Sequence, residues 1–161
     1  MEIRRPDIKD VPVMVDLINE HAAKGLMLAR SRHTVYQSLR DFVVAADEGR
    51  LIGVGALHII WEDMAEVRSL AVDPAYEGRG VGRRIVEVLL DDARALGLPR
   101  VFALTYVQGF FERMGFHVVP KEELPHKIWG DCLNCPKFPN CDEVALIRDL
   151  ATDTPIAQAE E

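Results

Sequence analysis

Through DIKDVPVMVDLINEHAAKG the apolar residues Ile8, Val11, Val15, Leu17 and Ile18 recur at a spacing close to that of one helical face. Pro6 closes the short run EIRR before it, Asp7 and Asp10 are alternative caps, and Gly25 lies just past the far end. A second short helix is predicted in SRHTVYQSLRD, which opens on Ser31 and repeats Val35, Leu39 and Phe42 at helical intervals. The period then changes. FVVAAD and LIGVGALHIIW are β-branched runs joined by EGR, and with Gly49 in the turn they predict a hairpin; AEVRSLAVDP is a third run of that kind. Beyond AYEGRGVG the helical period returns, with Ile85, Val86, Leu89, Leu90 and Ala93 on one stripe and Gly97 and Pro99 stopping it. VFALTY is an apolar strand, GFFERMG a short helix closed by Gly115, and FHVVP and EVALIRDL are further strands. This order predicts an α/β fold with an antiparallel front half, one domain over residues 1–150. PHKIWGDCLNCPKFPNCD follows neither period and is expected to be a structured insertion at about 126–142, while 151–161 is expected to be a mobile tail.

Composition narrows the class. With 161 residues, 48% of them hydrophobic, one compact domain is expected, and no apolar stretch reaches the roughly 20 residues that cross a bilayer. MEIRRPDIKD has charges without a hydrophobic run behind them, so no signal peptide is predicted and the expected address is cytoplasmic. The 26 acidic against 19 basic side chains argue against a nucleic-acid binder that works by neutralising phosphates, yet a local anion site remains compatible with them. A homodimer is left open.

One segment carries a chemical signal. In AVDPAYEGRGVG, Gly78, Gly80 and Gly82 lack a Cβ, so successive backbone N–H groups can turn toward an anion at the start of the helix that follows, and phosphate is the natural guest. A plain tight turn is the alternative. A Walker loop is excluded because no Lys-Ser or Lys-Thr follows the glycines. A Rossmann unit does not fit either, because the strands before the turn read as hairpins.

The run LAVDPAYEGRGVGRRIVEVLL, with VFALTY and FFERMGF behind it, resembles the GNAT superfamily of N-acetyltransferases over about residues 2–150. The resemblance implies a GNAT fold, a mixed and mostly antiparallel sheet flanked by helices, with acetyl-CoA as co-substrate. It places the pyrophosphate at Glu77, Gly78, Arg79, Gly80, Val81, Gly82 and Arg83, and the pantetheine arm along the main chain of Leu70, Ala71 and Val72. Glu77 stands where the family usually has Arg or Gln; that position is expected to act through its backbone amide. Phe111 stands where many members carry a tyrosine that protonates the departing thiolate, which leaves Thr105 and Tyr106 as the hydroxyls near the expected thioester position.

Within the superfamily, MLARSRHTVYQSL, AEVRSLAVDP, FERMGF and LPHKIW resemble the short stand-alone N-acetylglutamate synthases of arginine biosynthesis, which lack an amino-acid-kinase-like domain. That resemblance implies acetyl transfer to the α-amine of glutamate. An ammonium has no lone pair, so a base must remove its proton; Glu66 matches the general base of the synthases, with Glu62 and Asp63 as nearest substitutes. The two carboxylates of glutamate call for cationic partners, and Arg30 matches best, followed by Arg32, Arg68 and Lys127. Two other readings stay open: an acetyltransferase for another amine, such as a protein amino terminus, a polyamine or an antibiotic, and a non-catalytic CoA-binding zinc or redox sensor. Cys132, Cys135 and Cys141 are compact enough to hold one zinc ion with His126, Asp142 or His117 as fourth ligand; no metal, or a redox pair with one cysteine over, are the alternatives. His33, His58, His117 and His126 show no dyad spacing and read as structural.

Overall fold

The computed structural model describes residues 1–124 and 143–150. Its elements follow the expected order: β1 (Glu2–Arg4), α1 (Val11–Ala23), α2 (Arg32–Gln37), β2 (Phe42–Asp47), β3 (Arg50–Trp61), β4 (Met64–Val72), α3 (Val81–Ala95), β5 (Arg100–Thr105), α4 (Gln108–Arg113), β6 (His117–Val119) and β7 (Val144–Asp149). The strands form one mixed sheet in the order β1-β2-β3-β4-β5-β7-β6. The expected insertion at 126–142 and the tail at 151–161 lie outside the described residues.

Packing divides the chain into two compact units, Met1–His58 with Val67–Asp92, and Ile59–Glu66 with Ala93–Glu161. In the first, β2 and β3 form the expected hairpin, closed by Asp47 opposite Arg50. Its two loop residues, Glu48 at φ 50° and Gly49 at φ 78°, are both left-handed, as a tight hairpin turn matching the strand twist requires. Val11, Met14, Ile18 and Val35 pack with Val44, Val54, Ala56 and Ala71 in one buried cluster. Residues alternate across a strand, so Gly53 and Gly55 face the other way, toward α3. A Cβ on Gly53 would lie 2.9 Å from both Val81 and Ile85, and one on Gly55 would lie 2.7 Å from Ile85. The helix after the glycine turn is therefore seated against bare backbone of β3.

Two local expectations change. Asp10 does not cap α1: its carboxylate accepts the Asp7 N–H at 2.8 Å and both guanidinium branches of Arg4 at 2.8 and 3.0 Å. Asp7 instead caps a 3₁₀ turn over Ile8–Asp10, accepting the Lys9 N–H. Helix α2 ends earlier than its pattern suggests, because Ser38 leaves the helical region at φ −110°, ψ 20° and its hydroxyl donates to the Thr34 carbonyl at 2.8 Å. Phe42, which continued the helical spacing, opens β2 with 3% exposure.

In the second unit β5 runs parallel to the start of β4, through Met64 opposite Arg100 and Glu66 opposite Phe102. It pairs antiparallel with β7, which also takes β6. Met64, Phe102, Val119, Leu124, Ala145 and Ile147 form its core.

Candidate active site

As β4 ends, the Asp73 N–H donates to the Ile52 carbonyl at 2.8 Å. The Asp73 carboxylate caps the next 3₁₀ turn through the Ala75 N–H at 3.0 Å and holds Arg50 at 2.8 Å. The chain then passes through Gly78 and Gly80, at φ 78° and 80°, a region that residues with a Cβ rarely adopt. A Cβ built on either would meet nothing within 4 Å, so the conformation, not crowding, requires glycine. Gly82 is not left-handed and belongs to the first turn of α3. Among the described residues no acceptor takes the N–H groups of residues 78–83; the first helical bond is Arg84 N–H to Gly80 O at 3.1 Å. A row of unpaired donors at the positive end of a long helix is what an anionic diphosphate needs.

Neighbouring side chains are already engaged. The Glu77 N–H, expected to face the pyrophosphate, points back to the Pro74 carbonyl at a long 3.4 Å. Arg79 lies over the Tyr76 ring, 5.2 Å from its centre, and Arg83 pairs with Glu87 at 3.0 Å. Leu70 packs near Gly55 on the α3 side, whereas Ala71 belongs to the cluster around α1. What these β4 positions can offer a ligand is their main chain, as the family resemblance implies; Val72 is half-buried beside them.

The two arginines of the expected pair differ in burial. Arg30 is half-buried, and its main chain is gripped by the Asn19 carboxamide: Oδ1 accepts the Arg30 N–H at 2.9 Å and Nδ2 donates to the Arg30 carbonyl at 3.0 Å. Arg32 is exposed at the first residue of α2, behind the Ser31 cap. Arg68 is half-buried on β4, and Lys127 lies outside the described residues. Asn19 carries no motif in the sequence; its partner stands 11 residues away, past the end of α1 and across the loop that follows it.

Glu66 is half-buried on β4, opposite Phe102 of β5. Of its substitutes, Glu62 is exposed and Asp63 pairs with Arg100 at 3.4 Å. The Thr105 hydroxyl accepts the Val107 N–H at 3.0 Å in a local turn, and Tyr106 beside it is half-buried. Phe111 is buried, edge-on to Phe110 at 5.0 Å and to Phe116 at 5.1 Å, so its place is filled by aromatic packing. His58 meets Asp41 at 3.5 Å, a pairing no sequence spacing indicated, while His33 and His117 are exposed. Cys132, Cys135, Cys141, His126 and Asp142 lie outside the described residues, among which no group of three His, Cys, Asp or Glu could hold a metal. No described helix is long and apolar enough to cross a membrane.

A mixed sheet whose fourth strand runs into a glycine turn and a helix with open amides is the arrangement that the GNAT resemblance implied. The acetyltransferase (GNAT) family model matches residues 17–116, and the chain belongs to that family. It is 38% identical over 148 residues to an uncharacterized N-acetyltransferase of Chlorobaculum tepidum, covering 92% of this chain and 96% of that one. It is 43% identical over 117 residues to an amino-acid acetyltransferase of Mycobacterium tuberculosis, covering 71% and 67%. The N-acetylglutamate synthase of Neisseria gonorrhoeae, solved with coenzyme A and N-acetyl-glutamate, superposes with a TM-score of 0.84 at 29% identity; the match covers 92% of this chain but 35% of the synthase.

Proposed function

We propose that this protein transfers the acetyl group of acetyl-CoA to the α-amine of L-glutamate, the opening reaction of arginine biosynthesis. The observation that carries the acetyl-CoA half is the row of open amides at 78–83, which fits a pyrophosphate in number, sign and setting. The acceptor half is supported by the half-buried Arg30 and by the likeness to an amino-acid acetyltransferase and an N-acetylglutamate synthase.

Acetyl-CoA supplies the activated thioester. The turn from Gly78 to Arg83 holds its pyrophosphate, and the main chain of Leu70, Ala71 and Val72 lines its pantetheine arm. Glu66 takes the proton from the acceptor ammonium and frees the lone pair that attacks the thioester carbon. With phenylalanine at 111, expulsion of the thiolate relies on its modest basicity, a thiol pKa being about 8.5, and the thiolate takes up the second proton that the acylated nitrogen sheds, leaving free CoA thiol. Arg30 takes one acceptor carboxylate through paired N–H donors.

The test is release of free CoA thiol with glutamate, glutamine, aspartate, a polyamine and a peptide amine as acceptors. Glutamate should give the highest kcat/KM. Arg30→Ala should raise the glutamate KM and spare that of acetyl-CoA, because a buried carboxylate left without its cation loses about 2–5 kcal/mol. If Arg30 takes the side-chain carboxylate, the variant harms glutamate more than glutamine; if it takes the α-carboxylate, both suffer alike. Acetylation of the polyamine or peptide with none of the three amino acids would overturn the acceptor assignment and leave the acetyltransferase.

A further inference from the structure

The Asn19 carboxamide carries the same donor and acceptor as a peptide group, and it meets both halves of the Arg30 main chain, at 2.9 and 3.0 Å. This is a side chain of α1 gripping the far end of the loop that joins α1 to α2. The near end is tied by other means: Gly25 turns at φ 75° with its N–H on the Ala22 carbonyl, and the N–H groups of Lys24 and Leu26 both donate to the His21 carbonyl. Immediately after Arg30, Ser31 caps α2 by accepting the Thr34 N–H at 3.1 Å. Asn19 thus fixes the point from which the Arg30 side chain departs.

We infer that Asn19 is a positioning residue for the acceptor: it acts through Arg30, holding its main chain so that the guanidinium is presented to a carboxylate without the cost of ordering the loop on binding. This rests on Arg30 taking an acceptor carboxylate, as proposed above. Few side chains can replace it. Aspartate accepts the Arg30 N–H but cannot donate to the carbonyl, and it sets a negative charge against that carbonyl oxygen; alanine and leucine offer neither bond.

A kinetic double-mutant cycle on the full chain tests this, with glutamate as acceptor. Asn19→Ala should raise the glutamate KM about tenfold, the order expected for losing two modest hydrogen bonds, and leave kcat and the acetyl-CoA KM within about twofold. In an Arg30→Ala background the same change should have almost no further effect on KM, because the group it positions is gone. An Asn19→Ala effect that persists undiminished without the arginine, or that falls equally on acetyl-CoA, marks a general structural role and overturns the inference, as does an unchanged glutamate KM. Should Asn19→Ala fail to fold, Asn19→Asp is read by the same cycle. If Arg30→Ala alone leaves the glutamate KM unchanged, the assignment of Arg30 has failed; if that variant raises KM and Asn19→Ala does not, only the role of Asn19 has.

Discussion

At Gly80 a backbone angle of φ 80° coincides with the row of unpaired amides, so the conformation that requires glycine and the proposed pyrophosphate site meet at one residue. Gly80→Asp forces a side chain into the left-handed region and sets a carboxylate beside the proposed anion site, and we expect acetyl-CoA affinity to fall by about a hundredfold or more in titration calorimetry. Gly49→Asp is the matched control. It stands at φ 78° with equally open space, but on the β2–β3 hairpin, so it should lower Tm and leave acetyl-CoA affinity alone. Equal affinity in the two variants would remove the pyrophosphate from this turn. For Glu66→Gln, which keeps the shape and loses the proposed proton acceptor, turnover should drop about 10²–10⁴-fold with little change in the acetyl-CoA KM. Wild-type turnover with an unchanged pH profile would move the base elsewhere, first to the exposed Glu62, since Asp63 is already paired with Arg100. Single residues were unevenly legible. Glycines before a helix announce themselves through local conformation, whereas Asn19 looks like any polar residue on the margin of α1 until the loop folds back onto it.

The seat of α3 on β3 decides where the glycine turn ends and its amides begin. Gly53 and Gly55 let the helix approach, and the Cβ that Gly55 lacks would lie 2.7 Å from Ile85 Cγ2. Gly55→Val should therefore lift α3 by overpacking, costing about 1–3 kcal/mol and roughly 3–10 °C in Tm, and should raise the acetyl-CoA KM as the helix start moves. Truncating the opposing side chain in the double variant Gly55→Val/Ile85→Ala should recover part of both. A Tm that stays at the wild-type value in Gly55→Val would show that the helix is not seated where these contacts place it. The stripe Ile85, Val86, Leu89, Leu90 and Ala93 was visible as an apolar face, and all of it is buried. What that face rests on was not visible, because a glycine inside LIGVGALHIIW advertises an absence of side chain without naming the element that uses the space. The end of α2 shows the same boundary of local reading: Phe42 fits a helical period, but backbone pairing with Ala56 takes it into β2.

Over the whole molecule, acid stability should carry the mark of Asp10. Its carboxyl is held below the ordinary value of 3.8, first by hydrogen bonds from Arg4 and then by the Asp7 N–H, against an opposing effect of burial. Because the folded form binds its proton less readily than the unfolded chain, the stabilisation is fully present above about pH 4 to 5 and is lost as pH falls through the depressed pKa. Asp10→Asn should melt below the wild type at neutral pH, and the gap in Tm should close on acidification below about pH 4; a gap constant with pH would refute the pairing. That ion pair belongs to a group of links that only the tertiary structure decided. Arg4 reaches Asp10, Arg5 reaches Asp92 across 87 positions, Asn19 holds Arg30, and β3 presents two bare glycines to α3. Each joins residues that do not lie in one helix or one strand, and its energy exists only once two surfaces have met. The order of strands and helices, the hairpin turn, the glycine-rich start of α3 and the family were set by the sequence alone. They depend on contiguous residues, where alternation, helical spacing and the conformational freedom of glycine act before any distant contact forms.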